Sequence, residues 1–122
     1  MSELVYIIEP VYGKEPPHDR AETVALIESA GAQYAGSITQ NLREIHPATV
    51  IGEGKLAELN ERLTGLDVTV LFDGDLSPSQ TLNISKALGG RKVIDRTTLI
   101  LDIFALRAAS NEGKLQVELA QL

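Results

Sequence analysis

The stretch Val68-Thr69-Val70-Leu71-Phe72-Asp73-Gly74-Asp75-Leu76-Ser77-Pro78-Ser79-Gln80 decides the fold. Its first five residues are an uninterrupted apolar run, the pattern of a strand covered on both faces. Asp73-Gly74-Asp75 breaks the run with turn residues. Ser77-Pro78-Ser79-Gln80 then announces a helix. Ser77 supplies a capping hydroxyl, Pro78 suits the first helical position, and Gln80 can reach back to the cap. That helix stops at Gly89-Gly90, and Lys92-Val93-Ile94-Asp95 is a short strand that follows it. Strand, helix and strand within 28 residues make a parallel crossover unit, which is right-handed almost without exception.

Working outward, the same alternation repeats. Leu4-Val5-Tyr6-Ile7-Ile8 reads as another buried strand, followed by a loop with Pro10, Gly13, Pro16 and Pro17. Asp19, three residues before Glu22, has capping-box spacing and opens a helix through Ala30 that ends at Gly31. Ala32 to Thr39 reads as a second strand, and Thr49-Val50-Ile51 as a short extended piece beyond Pro47. A helix from about Glu53 to Leu63 aligns Leu56, Leu59 and Leu63. Thr97 to Arg107 returns to helix with Leu99, Ile103 and Leu106 on one side. Asn111 can cap a last helix that carries Leu115, Leu119 and Leu122. The expected fold class is α/β: a four-stranded, mostly parallel sheet in order 2-1-3-4, with helices on both faces and the start of a long C-terminal helix. Residues 1–109 form the expected α/β domain. Residues 110–122 are the expected beginning of a coiled-coil-like helical subdomain, cut short, whose leucine stripe could self-associate.

Composition narrows the function. The chain of 122 residues has no cysteine and two histidines, His18 and His46, which excludes a disulfide framework and a structural zinc site. Apolar runs are far shorter than the roughly 20 residues a membrane span needs, and no basic leader precedes the first strand. The expectation is a cytoplasmic protein with no membrane partner. The formal charge of −6 opposes nucleic-acid binding over the whole surface. Charge is uneven, however: residues 1–85 carry a net −8 and residues 86–114 a net +3, from Lys86, Arg91, Lys92, Arg96, Arg107 and Lys114 against three acids.

Glu9, Asp73, Asp75 and Asp95 all fall at expected strand ends, where open parallel sheets bind ligands. One reading is a receiver-like magnesium site on Asp73 and Asp75, oxygen ligands suiting a hard cation. The other is turn formation and helix capping by the same carboxylates. Gly52-Glu53-Gly54-Lys55 opens a helix like a phosphate loop but lacks its first Gly and its Ser/Thr, so NTP hydrolysis there is excluded. Its exposed amides leave an anion-binding role for Gly52, Gly54 and Lys55, which Glu53 would oppose. His46-Pro47 has no Ser, Cys or second His in a triad relation and reads as a surface loop. The cations Lys55, Arg91, Lys92, Arg96 and Arg107 are candidates for contacts to RNA or to other domains, or form a solvated face.

Three spaced segments resemble one family. His46-Pro-Ala-Thr-Val-Ile-Gly52-Glu-Gly54-Lys55-Leu-Ala-Glu-Leu59 is similar to the Pro-x-x-x-Ile-Gly-x-Gly-Lys-x-x-Glu-Leu segment of HflX-type GTPases. Leu76-Ser-Pro-Ser-Gln80, with Asn83, resembles their Leu-Ser-Pro-x-Gln-x-x-Asn. Val93-Ile-Asp95-Arg96-Thr-Thr-Leu-Ile-Leu-Asp102-Ile-Phe104-Ala-Leu-Arg107-Ala resembles their Asp-Arg-Thr-x-Leu-Ile-Leu-Asp-Ile-Phe-Ala-x-Arg-Ala stretch, and the likeness continues to Leu122. Residues 1–45 match only in general pattern. The resemblance implies a modular GTPase that engages the large ribosomal subunit and splits stalled or idle ribosomes under stress. Its other parts would be a helical hairpin and a G domain that uses GTP and Mg²⁺. The guanine-nucleotide motifs are not among these 122 residues, so the expectation is a non-catalytic binding or positioning module from a larger protein, with no cofactor of its own.

Overall fold

A computed structural model describes residues 3–14, 16, 18–42 and 45–105. Strand β1 spans Leu4–Tyr12, helix α1 Arg20–Ser29, β2 Gln33–Leu42, α2 Glu53–Arg62, β3 Thr69–Phe72, α3 Pro78–Ala87 and β4 Val93–Asp95. A further helix, α4, covers residues 96–105. The sheet order is β2-β1-β3-β4 and every pairing is parallel. Arg107, the boundary near residue 109 and the leucine stripe of residues 111–122 lie outside the described residues.

The period of two along each strand divides the core. Ile8, Val70, Phe72 and Val93 face one way and pack with Leu56, Leu59 and Leu63 of the α2 region and with Ile84 and Leu88 of the α3 region. Val5, Ile7, Leu71 and Ile94 face the other way, onto Ile27 of α1 and onto Leu99 and Ile103 of α4. Each of these buried apolar side chains is worth about 1.5–3 kcal/mol of transfer free energy. The continuous apolar runs follow from this arrangement, since a strand between two helical layers has no wet face.

The ends of several elements differ from the sequence expectation. β1 runs on to Tyr12, through Pro10. Asp73 N–H donates to Ile8 O at 2.9 Å, so Ile8 turns its backbone groups toward β3, and Pro10, two residues on, does the same. β3 pairing stops at Ile8 and Phe72, so the missing N–H of Pro10 breaks no ladder bond. Residues 49–51 are not an extended piece: His46 and Val50 bridge a tight turn, with Val50 at φ 65°. β2 carries a bulge opposite Val5 and Tyr6, which places Gly36 at φ 153°. A Cβ there would stand 3.0 Å from the Tyr6 ring, so both the backbone angle and the close ring favour glycine.

The helix ends behave as their residues dictate. Ser77 accepts from Gln80 N–H and Gln80 Oε1 accepts from Ser77 N–H, a complete capping box. After Leu88, Gly90 N–H reaches Ser85 O at 2.8 Å and Gly89 N–H reaches Lys86 O at 3.3 Å. This is the Schellman pattern, with Gly89 at φ 70° where a side chain would be strained. Asp19 caps α1 through Ala21 N–H at 3.0 Å, but Glu22 is no capping-box partner; it pairs with Arg96 instead.

Candidate functional site

Three buried acids line the mouth of the sheet: Asp73 just past β3, Asp95 at the end of β4, and Glu9, which was expected at a strand end but lies inside β1 because that strand runs on to Tyr12. Each meets a different set of donors. Glu9 receives a fork from Arg20, with Nε at 3.2 and 3.0 Å from its two oxygens and Nη2 at 2.7 Å, and Thr39 Oγ1 donates at 3.2 Å. Parallel N–H bonds to both carboxylate oxygens are the strong form of such a pair. They hold the Arg20 guanidinium above its ordinary pKa.

Asp73 is the centre of the cluster. Its side chain is 1% exposed. Oδ1 accepts from His18 Nδ1 and from Arg96 Nη1, both at 2.9 Å, and Oδ2 accepts from Thr23 Oγ1 at 2.8 Å. Arg96 Nη1 also donates to Thr23 Oγ1 at 2.9 Å, and its Nη2 reaches Glu22 at 2.9 Å. A carboxylate only accepts, so the His18 proton at this contact sits on Nδ1. Burial pushes the Asp73 carboxyl up, yet the bonds from His18, Arg96 and Thr23 outweigh it and hold the group below its ordinary value.

Asp95 does another job. Oδ2 accepts from Leu76 N–H at 3.0 Å and Oδ1 from Thr98 N–H at 2.8 Å, which caps α4 and fixes the start of the Leu76-Ser77 segment. Burial raises this carboxyl, and hydrogen bonds from the Leu76 and Thr98 amides, the Thr98 side chain and its own backbone together more than reverse it, so its pKa is also lowered. Asp75 is exposed and accepts from Thr97 Oγ1 at 3.1 Å. Asp73 and Asp75 thus turn to separate partners. Among the described residues no group of three or more His, Asp or Glu side chains is arranged to hold a metal ion.

The other sequence candidates fall apart from this cluster. Gly52 is the N-cap of α2 without a side-chain bond, and the His46 imidazole lies against it, 3.3 Å from where a Cβ would stand. Gly54 and Lys55 are exposed, with Lys55 Nζ 3.5 Å from Glu58. Arg91 is half-buried: its guanidinium donates to Asn60 Oδ1 at 2.8 Å, Leu88 O at 2.9 Å and Leu63 O at 2.5 Å. It fastens the carbonyl ends of α2 and α3, where a cation also suits the helix dipoles. Lys92 is exposed and stands 3.6 Å from Glu3. Arg96, expected at the surface, has a side chain only 17% exposed.

The three sequence segments that resemble one family turn out to grip one another. Gln80 Nε2 donates to Pro47 O at 3.2 Å and Asn83 Nδ2 to Ala48 O at 3.0 Å, so α3 holds the 46–50 turn. Asp95 holds Leu76 in turn. Gln80, Asn83, His18, Thr23 and Arg20 were not singled out as site residues in the sequence. Only the motif spacing of Gln80 and Asn83 carried a signal. The others meet partners 11 to 73 positions away, which no local pattern reports.

A four-stranded, all-parallel sheet between helical layers, with hydrogen-bonded acids at its mouth, defines an α/β domain. Residues 18–105 match the model of the GTP-binding GTPase N-terminal family. The chain belongs to that family, as an HflX-type N-terminal domain. It is 51% identical over 106 residues to the GTPase HflX of Escherichia coli, covering 85% of this chain and 24% of that protein. It is 49% identical over 102 residues to the GTPase HflX of Lacrimispora saccharolytica, covering 83% of this chain and 24% of that one. The chain therefore spans about a quarter of the length of these relatives. A GTP-binding protein from Sulfolobus solfataricus, solved in complex with GDP, superposes with a TM-score of 0.65 at 26% identity, over 98% of this chain and 35% of that one.

Proposed function

We propose that this domain is the docking and positioning module of an HflX-like GTP-binding protein that associates with the large ribosomal subunit and helps to split or rescue ribosomes. In this reading the module binds rRNA and orients the helical and G domains of its parent protein. GTP and Mg²⁺ belong to the G domain, and the protein works in the cytoplasm under stress. The observation that carries the non-catalytic part is the state of Asp73. Its carboxylate already accepts from His18, Thr23 and Arg96, so holding Mg²⁺ or activating water would first have to break those bonds. Among the described residues no helix is long and apolar enough to cross a membrane.

Of the candidate cations, Arg91 and Arg96 are committed to the protein's own carbonyls and carboxylates. The exposed cations flanking the Gly89-Gly90 turn are Lys86 and Lys92, and these offer the phosphate contacts. The test is co-sedimentation of the 122-residue chain with large ribosomal subunits over a salt series. Binding should be weak, with a shallow slope of about two to four released ions, because few phosphates can be met by so acidic a surface. Lys86→Glu with Lys92→Glu should abolish pelleting and leave thermal unfolding unchanged. Undiminished pelleting of that double variant would overturn the assignment of this face.

A further inference from the structure

The two edges of the sheet are unlike. β4 has three residues and lies next to Lys92, the kind of short, charged edge that resists further pairing. β2 has ten residues, none of them charged and none proline. Among the described residues it pairs with β1 alone. The ladder alternates, and Gln33 N–H donates to Glu3 O, so odd residues of β1 face β2. In the register Ile8↔Ile38 and Pro10↔Gln40, Ile38 and Gln40 then face β1, and Ser37, Thr39 and Asn41 turn their backbone N–H and C=O outward. Two of those outward carbonyls draw side chains of the domain itself, Tyr6 to Ser37 O and Gln40 to Asn41 O. Both contacts are 3.4 Å long, beyond the usual range.

A groove of about 200 Å³ runs between this edge and α2, lined by Ile38, Thr39, Gln40, Lys55, Glu58, Leu59 and Arg62, so two cations stand there against one acid. Arg62 makes no salt bridge among the described residues, and the partner of Lys55 is the exposed Glu58. Seven positions separate the two cations, about 10 Å along the helix axis. Alternate side chains of a strand recur every ~7 Å, so long acidic side chains two or four positions apart can meet both. We propose that the outer edge of β2 accepts an extended acidic peptide as a fifth strand, with its backbone on Ser37, Thr39 and Asn41 and its alternate carboxylates on Lys55 and Arg62. Strand addition supplies affinity through main-chain bonds, and the groove supplies the preference for acids. A phosphate polymer could use the cations but has no use for the free strand edge.

The probe is a fluorescein-labelled eight-residue peptide of alternating Glu and Val, titrated with the 122-residue chain and followed by anisotropy. Binding should saturate, and Lys55→Glu with Arg62→Glu should weaken it about tenfold at low salt, as two exposed charge pairs are lost and reversed. Asn41→Pro removes one outward N–H without touching the β1 ladder and should weaken binding while helical circular dichroism stays unchanged. The same peptide with alternate N-methyl groups keeps its charge and should not bind at all. Equal binding of the N-methylated peptide, or capture of a labelled oligouridylate with no binding of the peptide, would overturn the proposal in favour of a simple charge patch. A dimer that Asn41→Pro abolishes, with no peptide binding, would overturn it in favour of self-pairing.

Discussion

At the β3 end of the sheet Asp73 and Arg96 are both shielded, with side chains 1% and 17% exposed; at the β1 end Glu9 is equally hidden, but its partner Arg20 is 53% exposed. Both are carboxylate–guanidinium pairs at the mouth of one parallel sheet, and they differ in what water can reach. Arg20 can be replaced by solvent at the open side of the fork. Arg96 cannot, because Thr23, Glu22 and Asp73 surround it. Two pairs with the same chemistry should therefore contribute unequally, and burial decides which dominates.

The largest effect expected is that of Arg96→Met. Removing one member of a buried pair leaves the other charge uncompensated, at a cost of about 3–5 kcal/mol in such sites. Urea unfolding at neutral pH should show a lowered midpoint with the slope unchanged. The pH profile sharpens the point. The Asp73 pKa is lowered in the folded state, so its contribution is complete above the unfolded carboxyl value of about 3.9 and is lost as pH falls through the folded value. Without Arg96 the burial of Asp73 meets less opposition and its folded pKa rises. Acid unfolding of Arg96→Met should begin at higher pH than that of the parent. An identical acid midpoint in the two proteins would break the comparison, because Arg96 would then not be what keeps Asp73 ionised.

Arg20→Met should cost clearly less than Arg96→Met, since Glu9 keeps Thr39 and water can enter where the exposed guanidinium stood. The two substitutions touch separate carboxylates, so the double variant measures their independence. Additivity within about 0.5 kcal/mol is expected if the Asp73 and Glu9 clusters share no partner. A larger coupling energy would mean that α1, which carries both Arg20 and Thr23, moves as one body when either pair is lost.

Much of the scaffold was legible before any coordinates, and the contacts at the sheet mouth were not. The apolar runs at residues 4–8 and 68–72, the capping box at Ser77 and the Gly89-Gly90 stop are local patterns; their alternation implies a parallel sheet, and the structure has the expected order 2-1-3-4. The 46–50 turn was misread because Val50, a β-branched residue, adopts a left-handed φ that propensity disfavours. Arg91 and Arg96 looked like surface charge because a sequence shows the sign of a side chain and not its neighbours. Arg91 serves carbonyls from two helix ends, and Arg96 serves Asp73, 23 positions earlier. Asp95 was legible in part: helix capping was one reading of the acids at strand ends and it does cap α4, but its bond to Leu76, 19 positions earlier, has no local signal.

Asp95→Asn is the smallest effect expected and separates charge from hydrogen bonding at the same sheet mouth. Asp73 faces a guanidinium, so its charge matters; Asp95 faces two backbone amides, so a neutral acceptor can serve part of its role. An Asn side chain retains one carbonyl oxygen, which can still cap α4 at Thr98 N–H, and Asn ranks with Asp at such positions. Its amide nitrogen would then face Leu76 N–H, donor against donor. The loss should be about 1 kcal/mol, concentrated on the Leu76-Ser77 segment that leads into α3. Hydrogen exchange should show the Leu76 amide losing protection while Thr98 and the β3 amides keep theirs. The lowered pKa of Asp95 also disappears with the carboxyl, so the stability difference from the parent should shrink as pH falls below about 4. A loss as large as that of Arg96→Met, or exchange that spreads through β3, would show that Asp95 and Asp73 are one cooperative cluster.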